Sequence, residues 1–302
     1  RGAPETARPG GVRDGLVRVI GPRTFDFTRE VAVMAIVNRT RDSFYDRGRH
    51  FALSDAIAAA DRAVRLGADW VDVGAVPFSP HSAEVGAAEE IERLLPLVRH
   101  LVALGRVAIS VDTFRPEVAD ACVRAGAHVI NDTSGLRDPA MAEVAAGTGA
   151  TLVITHTLAA PRVPVPAPQY GNVVDEVRDF LASRVAEAVR LGVRPEQLVI
   201  DPGHDLHKNT LHSLELTRRL AEIADLPYPL LASVSKKDFV QEVAGRQPVA
   251  LTAGTVTTLA MCVAAGARVV RVHDVAAAKA AVTMISAVHG WHVPERLRHN
   301  RD

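Results

Sequence analysis

The sequence is poor in several residue types, and each shortage narrows the class of protein. Only 4% of the 302 residues are aromatic, and only two residues are cysteine. Cys122 and Cys262 lie far apart in Ala/Val-rich stretches, so neither a disulfide framework nor a paired-cysteine metal site is indicated. We expect two buried thiols in a reducing compartment, which favours a cytoplasmic protein.

Net charge and long apolar runs are lacking as well. The formal net charge is +0 and the pI is about 7.4, which argues against sequence-independent binding to nucleic acid or to an anionic membrane. The chain has no run of about 18 apolar residues and no signal-like segment near its N-terminus. We therefore expect neither a nucleic-acid nor a membrane partner, and any anion binding must be local.

Lysine is scarce, because only four of the 35 basic residues are Lys. Three of the four, Lys208, Lys236 and Lys237, fall in loops that follow predicted strands. A compact ammonium group on a flexible stem suits a point contact to a ligand carbonyl or phosphate, although chance placement would explain the pattern equally well.

Short apolar runs alternate with amphipathic stretches of helical period from Val31 onward. Eight such units in about 260 residues favour an α/β fold of the TIM (β/α)8 barrel type. No GxGxxG motif follows a predicted strand and no P-loop motif occurs, which argues against a nucleotide-binding fold. We expect one domain: an N-terminal arm and hairpin at 1–30, the barrel at 31–290 and a tail at 291–302. The eight predicted strands are Val31–Val37, Trp70–Gly74, Val107–Val111, His128–Asn131, Thr151–Thr155, Leu198–Asp201, Tyr228–Ala232 and Arg268–Val272.

A helix is predicted after each strand. The predicted helices are Leu53–Leu66, Ala88–Leu104, Pro116–Ala125, Pro139–Thr148, Val173–Leu191, Thr210–Ile223, Ala250–Ala265 with a short Lys237–Glu242 lead, and Val275–Val288. The last two are rich in Ala and Val, so they either bury against the barrel or pack in a dimer.

Polar residues at strand carboxyl ends are the candidates for a site, because barrel enzymes build their active sites there. Each one alone has a plain structural explanation, such as a helix cap or a satisfied core histidine. The candidates are Asn38, Asp72, Asp112, Asn131 with Asp132, His156, Asp201 with His204 and Lys208, Ser235 with Lys236 and Lys237, and Arg271 with His273.

Their combination points to particular chemistry. Asp112, Asn131 and Asp201 offer acceptors and an amide suited to an amino-pyrimidine edge, and a buried carboxylate requires such donor-rich partners. Lys237 is suited to donate to a carbonyl on the same ring. Arg271-Val272-His273 places two donors on one side of a strand, as an anion such as phosphate requires.

The motifs at these strand ends resemble those of the dihydropteroate synthase family over residues 30–290. The matching motifs are Met34-Ala-Ile-Val-Asn38-Arg-Thr-Arg-Asp-Ser-Phe44, Gly67-Ala-Asp-Trp-Val-Asp-Val-Gly74, Ser110-Val-Asp-Thr113, Gly126-Ala-His-Val-Ile-Asn-Asp132, Asp201-Pro-Gly203 with Lys208-Asn209, Ser235-Lys-Lys237 and Arg271-Val-His-Asp274.

The resemblance implies a transferase of folate biosynthesis that joins 6-hydroxymethyl-7,8-dihydropterin diphosphate to p-aminobenzoate and releases diphosphate. It implies a pterin site of Asp112, Asn131, Asp201 and Lys237, a diphosphate site of Asn38, Arg271 and His273, and an aminobenzoate side with Ser235 and Lys236. The catalytic group would be Lys237, Asp112, Arg271 and His273. Mg²⁺ would be held with the diphosphate through Asn38, and the family is commonly dimeric.

Several loops depart from the family pattern. The family's second loop reads Glu-Ser-Thr-Arg-Pro-Gly, whereas Gly74 here is followed by Ala-Val-Pro-Phe-Ser-Pro-His, which lacks the Thr and the Arg. Arg39 and Arg41 of the first loop are candidates to replace that arginine. Lys236 stands where the family has Arg, and so lacks a planar guanidinium. His204-Asp-Leu-His207 replaces an aromatic and glycine-rich segment.

Three hypotheses remain open at this point. The chain is an active synthase that uses p-aminobenzoate or a related amine, or a non-catalytic pterin-binding paralogue. The third hypothesis is a metal enzyme in which Asp201, His204, Asp205, His207 and His156 bind a transition metal. Pterin-binding domains of methyl-transfer enzymes share the barrel, but the cations Lys237, Arg271 and His273 favour a diphosphate-bearing substrate.

Overall fold

Eight parallel strands close into a barrel in the computed structural model, which describes residues 16–39, 49–76, 84–295 and 299. A two-stranded antiparallel hairpin, β1 (Val17–Ile20) and β2 (Arg23–Asp26), precedes it. The predicted α/β barrel is confirmed. Its strands are β3 (Ala32–Asn38), β4 (Trp70–Gly74), β5 (Ala108–Asp112), β6 (Val129–Asp132), β7 (Thr151–Thr155), β8 (Leu198–Asp201), β9 (Leu230–Ala232) and β10 (Ala267–Val272).

The strands follow chain order around the barrel, and β10 closes it by pairing with both β9 and β3. Ten helices lie in the described part of the chain. They are α1 (Arg49–Arg65), α2 (Ala87–Leu104), α3 (Pro116–Arg124), α4 (Ala140–Thr148), α5 (Val173–Arg190), α6 (Thr210–Arg218), α7 (Leu220–Ala224), α8 (Asp238–Ala244), α9 (Pro248–Ala264) and α10 (Val275–Val288).

One predicted helix is wrong in detail. The apolar period predicts a single helix over Thr210–Ile223, but the structure divides it into α6 and α7 at Arg219, which has φ −110° and ψ 20°. These dihedral angles are not helical, so the hydrogen-bond ladder breaks there. The guanidinium of Arg219 bonds carboxylates of both helices, Glu215 of α6 and Glu222 of α7.

The apolar core has two layers. The larger layer lies between the sheet and the helices, and the smaller one fills the barrel interior. Hairpin residues Phe25 and Phe27 belong to the inner layer, where Phe25 meets the buried Trp70 edge to face at 6.0 Å between ring centroids. The hairpin therefore closes the end of the barrel at which the strands begin.

Charged groups reinforce this closed end. Asp69, just before β4, accepts the Val33 N–H at 2.9 Å and pairs with Arg23 and with Lys279 of α10, whose Nζ lies 3.1 Å away. Because the strand-start end is filled and bonded, the carboxyl end is the one available to a ligand.

No single helix among the described residues has the length and apolar character needed to cross a membrane. The bent pair α8 and α9, with 116° between the two helices, reaches the required length and composition only when both are counted together.

Candidate active site

A cavity of about 440 Å³ opens at the carboxyl ends of the strands. This volume lies within the usual range for a small-molecule site. All nine residues to which the family resemblance assigns a role line this one cavity, although their individual roles remain predictions. They are Asn38, Asp112, Asn131, Asp201, Ser235, Lys236, Lys237, Arg271 and His273. Four other strand-end candidates, Asp72, Asp132, His156 and Lys208, do not line it.

Asp72 of β4 organises the floor of the cavity. Its side chain is fully buried, and its Oδ1 accepts a hydrogen bond from Ser110 Oγ at 2.6 Å. Its Oδ2 accepts from Asn131 Nδ2 at 3.1 Å and from Arg271 Nε at 2.7 Å. One carboxylate thus orients a guanidinium from β10 and an amide from β6.

Arg271 also bonds Asp112, because its Nη2 donates to Asp112 Oδ2 at 3.0 Å. Burial raises the pKa of Asp112 to about 7, and the charge of Arg271 opposes that rise. The amide of Asn131 has one unsatisfied acceptor, because its buried Oδ1 has no hydrogen-bond partner among the described residues. A ligand donor, or water, would satisfy this acceptor.

Asp201 stands at the end of β8, and the backbone fixes its orientation. Its Oδ1 accepts the Gly203 N–H at 2.7 Å in the turn that ends the strand. Burial raises the pKa of Asp201, so the ionised form calls for cationic or donor-rich neighbours. Lys237 is one of the charges that favour the ionised form.

Gly203 cannot carry a side chain without displacing the backbone. Its φ is +67°, and a Cβ there would lie 2.2 Å from the carbonyl oxygen of His156. We expect Gly203→Ala to lower the free energy of unfolding by about 2–4 kcal/mol, through left-handed strain and overpacking. Urea unfolding measures this loss.

Gly147→Ala is the matched control, because Gly147 lies inside α4 with open space where a Cβ would lie. This variant should gain about 0.5–1 kcal/mol from the better helix propensity of alanine. Equal effects of the two substitutions would contradict the packing described for Gly203.

Two lysines serve this end of the barrel in different ways. Lys208 is buried and donates to neutral acceptors: His156 Nδ1 at 2.8 Å, Gly203 O at 2.8 Å and Leu206 O at 3.1 Å. Burial lowers its pKa to about 7. Lys208 therefore braces the loop after β8, whereas Lys237 lines the cavity itself.

Ser235 fixes the ring of His273. Ser235 Oγ accepts the His273 backbone N–H at 3.2 Å and lies 3.0 Å from His273 Nδ1. Burial and the nearby Arg271 lower the pKa of His273 to about 4, so the ring is neutral at neutral pH. When Ser235 donates its hydroxyl proton to Nδ1, the ring proton stands on Nε2 and His273 is a neutral donor to the cavity.

The residues of the metal hypothesis have other partners. His156 bonds Lys208, Asp205 Oδ1 accepts from Ser213 Oγ at 3.0 Å, and His207 bonds Thr157 Oγ1 at 2.8 Å. His204 Nε2 lies 3.2 Å from Thr217 Oγ1. Within the described ranges, no group of three or more His, Cys, Asp or Glu is arranged to hold a metal ion. The geometry therefore gives the transition-metal hypothesis no support.

His204 should make the protein sensitive to acid. Thr217 Oγ1 donates to Ser213 O at 2.8 Å, so it accepts from His204 Nε2 and the imidazole is neutral. Burial lowers the pKa of His204 to about 3 from the ordinary 6.5. Because the folded state disfavours the charged ring, this stability is complete above pH 6.5 and is lost as the pH falls toward 3.

Between pH 7 and pH 5 the loss from this group is about 2 kcal/mol. His204→Phe preserves the stacking on Phe239, whose ring centroid lies 5.8 Å away, and removes the titrating group. Urea unfolding at the two pH values should show a smaller loss in the variant. An equal loss in both proteins would assign the acid sensitivity elsewhere.

Arg39 and Arg41 are the two candidates to replace the arginine missing from the second loop, and the structure describes only Arg39. The guanidinium of Arg39 donates to the carbonyl oxygens of Glu92 and Arg93 in α2, so it is directed to the helix rather than to the cavity. Arg41 lies outside the described residues, as do 77–83 of the second loop.

Sequence reasoning missed several residues that line the cavity. Glu90 of α2 is fully buried and pairs with Arg115, although an acidic residue in a first helical turn ordinarily indicates an exposed cap. Phe114, Arg162 and Leu206 also line the cavity. No local pattern distinguishes Phe114, Arg162 and Leu206, because each is brought in by a loop.

Asn38 offers a fit to a substrate-bound cation. It is paired in register with Gly74, and Gly74 with Asp112. A Cβ on Gly74 would lie 3.2 Å from Asn38 Oδ1 and 3.9 Å from Asp112 Oδ2, so this glycine leaves space between two oxygen donors. Oxygen donors in small number suit Mg²⁺, which commonly retains water and substrate phosphate oxygens.

Fold and site together define a class: a (β/α)8 barrel whose strand ends surround a small-molecule cavity lined by carboxylates and cations. Comparison with known proteins identifies the family. A family model described as "Pterin binding enzyme" matches residues 34–273. The chain belongs to the pterin-binding enzyme family and is a divergent member of its dihydropteroate synthase group.

Named relatives fall into two groups. The chain is 44% identical to "Inactive dihydropteroate synthase 2" of Mycobacterium leprae over 270 residues, covering 87% of this chain and 92% of the relative. It is 35% identical to the dihydropteroate synthase of Escherichia coli over 255 residues, covering 84% and 90%.

Solved structures agree with the fold. Dihydropteroate synthase of Xanthomonas albilineans in complex with 7,8-dihydropteroate has a TM-score of 0.77 and 35% identity, covering 90% of this chain and 97% of that chain. The Yersinia pestis enzyme in a sulfonamide complex has a TM-score of 0.83 and 31% identity, covering 91% and 99%.

Proposed function

We propose that this protein binds 6-hydroxymethyl-7,8-dihydropterin diphosphate and transfers its pterin-methylene group to p-aminobenzoate or a related amine. The observation that carries the proposal is the set of acceptors on the cavity floor. Asp112, Asn131 and Asp201 come from three strands and line one cavity with Lys237. A pterin edge supplies ring N–H and amino donors for the acceptors, and its carbonyl accepts from the lysine.

The reaction requires charge stabilisation more than a nucleophile on the protein. The bond between the pterin methylene carbon and the diphosphate oxygen breaks, a carbon–nitrogen bond to the amine forms, and the amine loses one proton. Arg271 and His273 supply N–H donors for the charge that builds on the diphosphate. Asp112, which lines the same cavity, tolerates the positive charge that builds on the pterin.

Mg²⁺ held at Asn38 would supply positive charge to the leaving diphosphate. Two other side chains orient these donors. Asp72 holds Arg271, and Ser235 holds His273 with its Nε2–H available to an anion. These contacts hold both side chains in place, and donors held in place are the condition for effective electrostatic stabilisation.

The test is product formation from both substrates with Mg²⁺, followed as diphosphate release. Lys237→Ala should lower kcat/KM by at least about 100-fold, because it removes a partly buried charge from the site. Omitting Mg²⁺ should also abolish release. Pterin binding without any turnover in the unmodified protein would contradict the transferase proposal.

A second candidate is a pterin-binding protein without synthase activity. The name of the Mycobacterium leprae relative and the absence of the loop Thr and Arg both favour it. Calorimetry separates the two candidates. An active site of the proposed kind binds the diphosphate ester more tightly than the pterin alcohol, whereas a protein that recognises only the ring binds both alike.

We also propose a cytoplasmic homodimer. Exposed apolar side chains on α9 and α10 support a self-association face: Val249 and Met261 on the first helix, Met284 and Val288 on the second. The buried thiols Cys122 and Cys262 support a reducing compartment. Sedimentation of Met284→Glu against the unmodified protein tests the dimer, and a monomeric unmodified protein would contradict it.

A further inference from the structure

A proline stands inside α2, the helix that follows the second loop. Pro96 has no backbone N–H, so the carbonyl oxygen of Glu92, four residues earlier, cannot accept the usual helical hydrogen bond from it. The proline ring also crowds that carbonyl group and commonly bends the helix there. The turn of α2 that precedes Pro96 therefore offers carbonyl oxygens to a donor from outside the helix.

Arg39 supplies such a donor. Its Nη1 donates to the carbonyl oxygen of Arg93 and lies 3.5 Å from the carbonyl oxygen of Glu92. Arg39 is the first residue after β3, and 53 positions of the chain separate it from Glu92. The carboxyl end of β3 is thus tied to the turn of α2 at which the proline interrupts the hydrogen-bond ladder.

The peptide group between Asn38 and Arg39 is held from a second direction. The backbone N–H of Arg39 donates to the carbonyl oxygen of Gly74 at 2.7 Å. Gly74 is the residue that leaves space beside Asn38, because a Cβ on it would lie 3.2 Å from Asn38 Oδ1. The backbone and the side chain of Arg39 therefore both fix the point at which Asn38 meets the neighbouring strand.

The start of the second loop is fastened to the same turn of α2. Arg93 Nη1 donates to the carbonyl oxygen of Ala75 at 3.1 Å, and Arg93 Nη2 pairs with Glu89 one turn earlier in the helix. Arg39 and Ala75, the first residues after β3 and β4, thus both bond Arg93. One turn of helix holds the two neighbouring strand ends between which Asn38 Oδ1 lies.

Asn38 is the residue to which the proposed function assigns the cation. Its side chain is exposed, so its place depends on how its backbone is held. Mg²⁺ demands near-ideal octahedral geometry, and a displaced ligand oxygen binds it poorly. We propose that Arg39, anchored on the α2 turn that precedes Pro96, is a positioning residue that holds Asn38 for the Mg²⁺-bound diphosphate. This inference rests on the proposed function, because it takes the cation site from it.

The test separates cation binding from pterin binding, with no amine present. Calorimetry of the full chain with 6-hydroxymethyl-7,8-dihydropterin diphosphate at a series of Mg²⁺ concentrations gives the half-saturating Mg²⁺ concentration. A second titration with 6-hydroxymethylpterin gives the Kd of the ring. Arg39→Met removes the donors and keeps a long side chain. It should raise the half-saturating Mg²⁺ concentration about threefold to tenfold and leave the Kd of the ring unchanged.

Three further variants distinguish positioning from a loss of structure or of charge. Arg39→Lys keeps an ammonium donor, so its half-saturating Mg²⁺ concentration should lie nearer to that of the unmodified protein. Arg99→Met removes an exposed cation from the same helix, outside the cavity, and should change neither quantity. Pro96→Ala restores the N–H and improves the helix, which then competes with Arg39 for the carbonyl oxygens. It should raise the half-saturating Mg²⁺ concentration at least about twofold.

The outcomes also separate this inference from the proposed function. If the unmodified protein did not bind the pterin diphosphate, or bound it no better with Mg²⁺, the proposed function would fail and this inference with it. Mg²⁺-dependent binding that Arg39→Met leaves unchanged, or that Arg99→Met weakens equally, would overturn the role of Arg39 alone. Equal effects of Arg39→Met and Arg39→Lys would overturn the hydrogen-bonded anchor. If Arg39→Met does not fold, Pro96→Ala decides, and an unchanged Mg²⁺ requirement in that variant would overturn the part of the α2 turn.

Discussion

Replacing Asp72 by alanine is expected to lower the free energy of unfolding by about 3–5 kcal/mol. The side chain is fully buried and accepts from Ser110, Asn131 and Arg271. Its removal leaves a largely buried guanidinium with one carboxylate partner fewer and leaves two neutral donors unsatisfied. An unpaired buried charge is costly because the low-dielectric interior does not solvate it.

Asp120→Ala is the comparison for this variant. Asp120 also pairs with an arginine, Arg124, at 2.7 Å, but the side chains are 35% and 73% exposed. Such an exposed pair contributes little to the free energy of unfolding, because water screens both charges. Urea unfolding of both variants at pH 7 should therefore differ by several kcal/mol. A loss below about 1 kcal/mol in Asp72→Ala would show that the Asp72 network does not stabilise the barrel.

Asp201→Asn should weaken pterin binding by about 2–3 kcal/mol, or roughly 30- to 150-fold in Kd, because a charged acceptor is lost from the cavity. The same substitution should leave stability unchanged or raise it. The amide oxygen keeps the bond to the Gly203 N–H, and burial disfavours the ionised carboxylate of the native protein.

Asp132→Asn provides the contrast. Asp132 ends β6, but its two oxygens accept the backbone N–H groups of Ser134 and Leu136, each at 2.8 Å, and it does not line the cavity. An amide replaces only one of these acceptors, so this variant should lose stability and keep its pterin Kd. If Asp201→Asn instead lost stability and bound pterin normally, Asp201 would be a structural acid.

The sequence predicts the barrel well because strands and helices are encoded locally. Three predicted strands, among them Trp70–Gly74, match the structure residue for residue. The shared location of the site residues follows as well, since parallel strands place their carboxyl ends on one side.

The roles of individual acids are not encoded in this way. Asn131 and Asp132 are adjacent on one strand, and side chains alternate faces, so only one of them meets the cavity. The bond between Arg271 and Asp72 joins residues 199 positions apart, which no local pattern reports. His207 is another example: the sequence suggests a ligand, but the folded loop makes it a brace.

The relatives and the cavity bear on activity differently. The chain shares 44% identity with a protein named inactive and 35% with a named synthase, while the acceptors expected for a pterin lie together in one cavity. We therefore expect pterin recognition and turnover to be separable in this chain. The proposed recognition depends on the strand ends described above, and the proposed turnover depends on loops as well.

The central claim is that these strand ends bind a pterin diphosphate. Titration calorimetry of the unmodified protein with 6-hydroxymethyl-7,8-dihydropterin diphosphate tests it most directly. We predict saturable binding at one site per chain, tighter with Mg²⁺ than without, and weakened roughly 30- to 150-fold in Asp201→Asn. Absence of saturable binding, or equal binding by Asp201→Asn, would contradict the account.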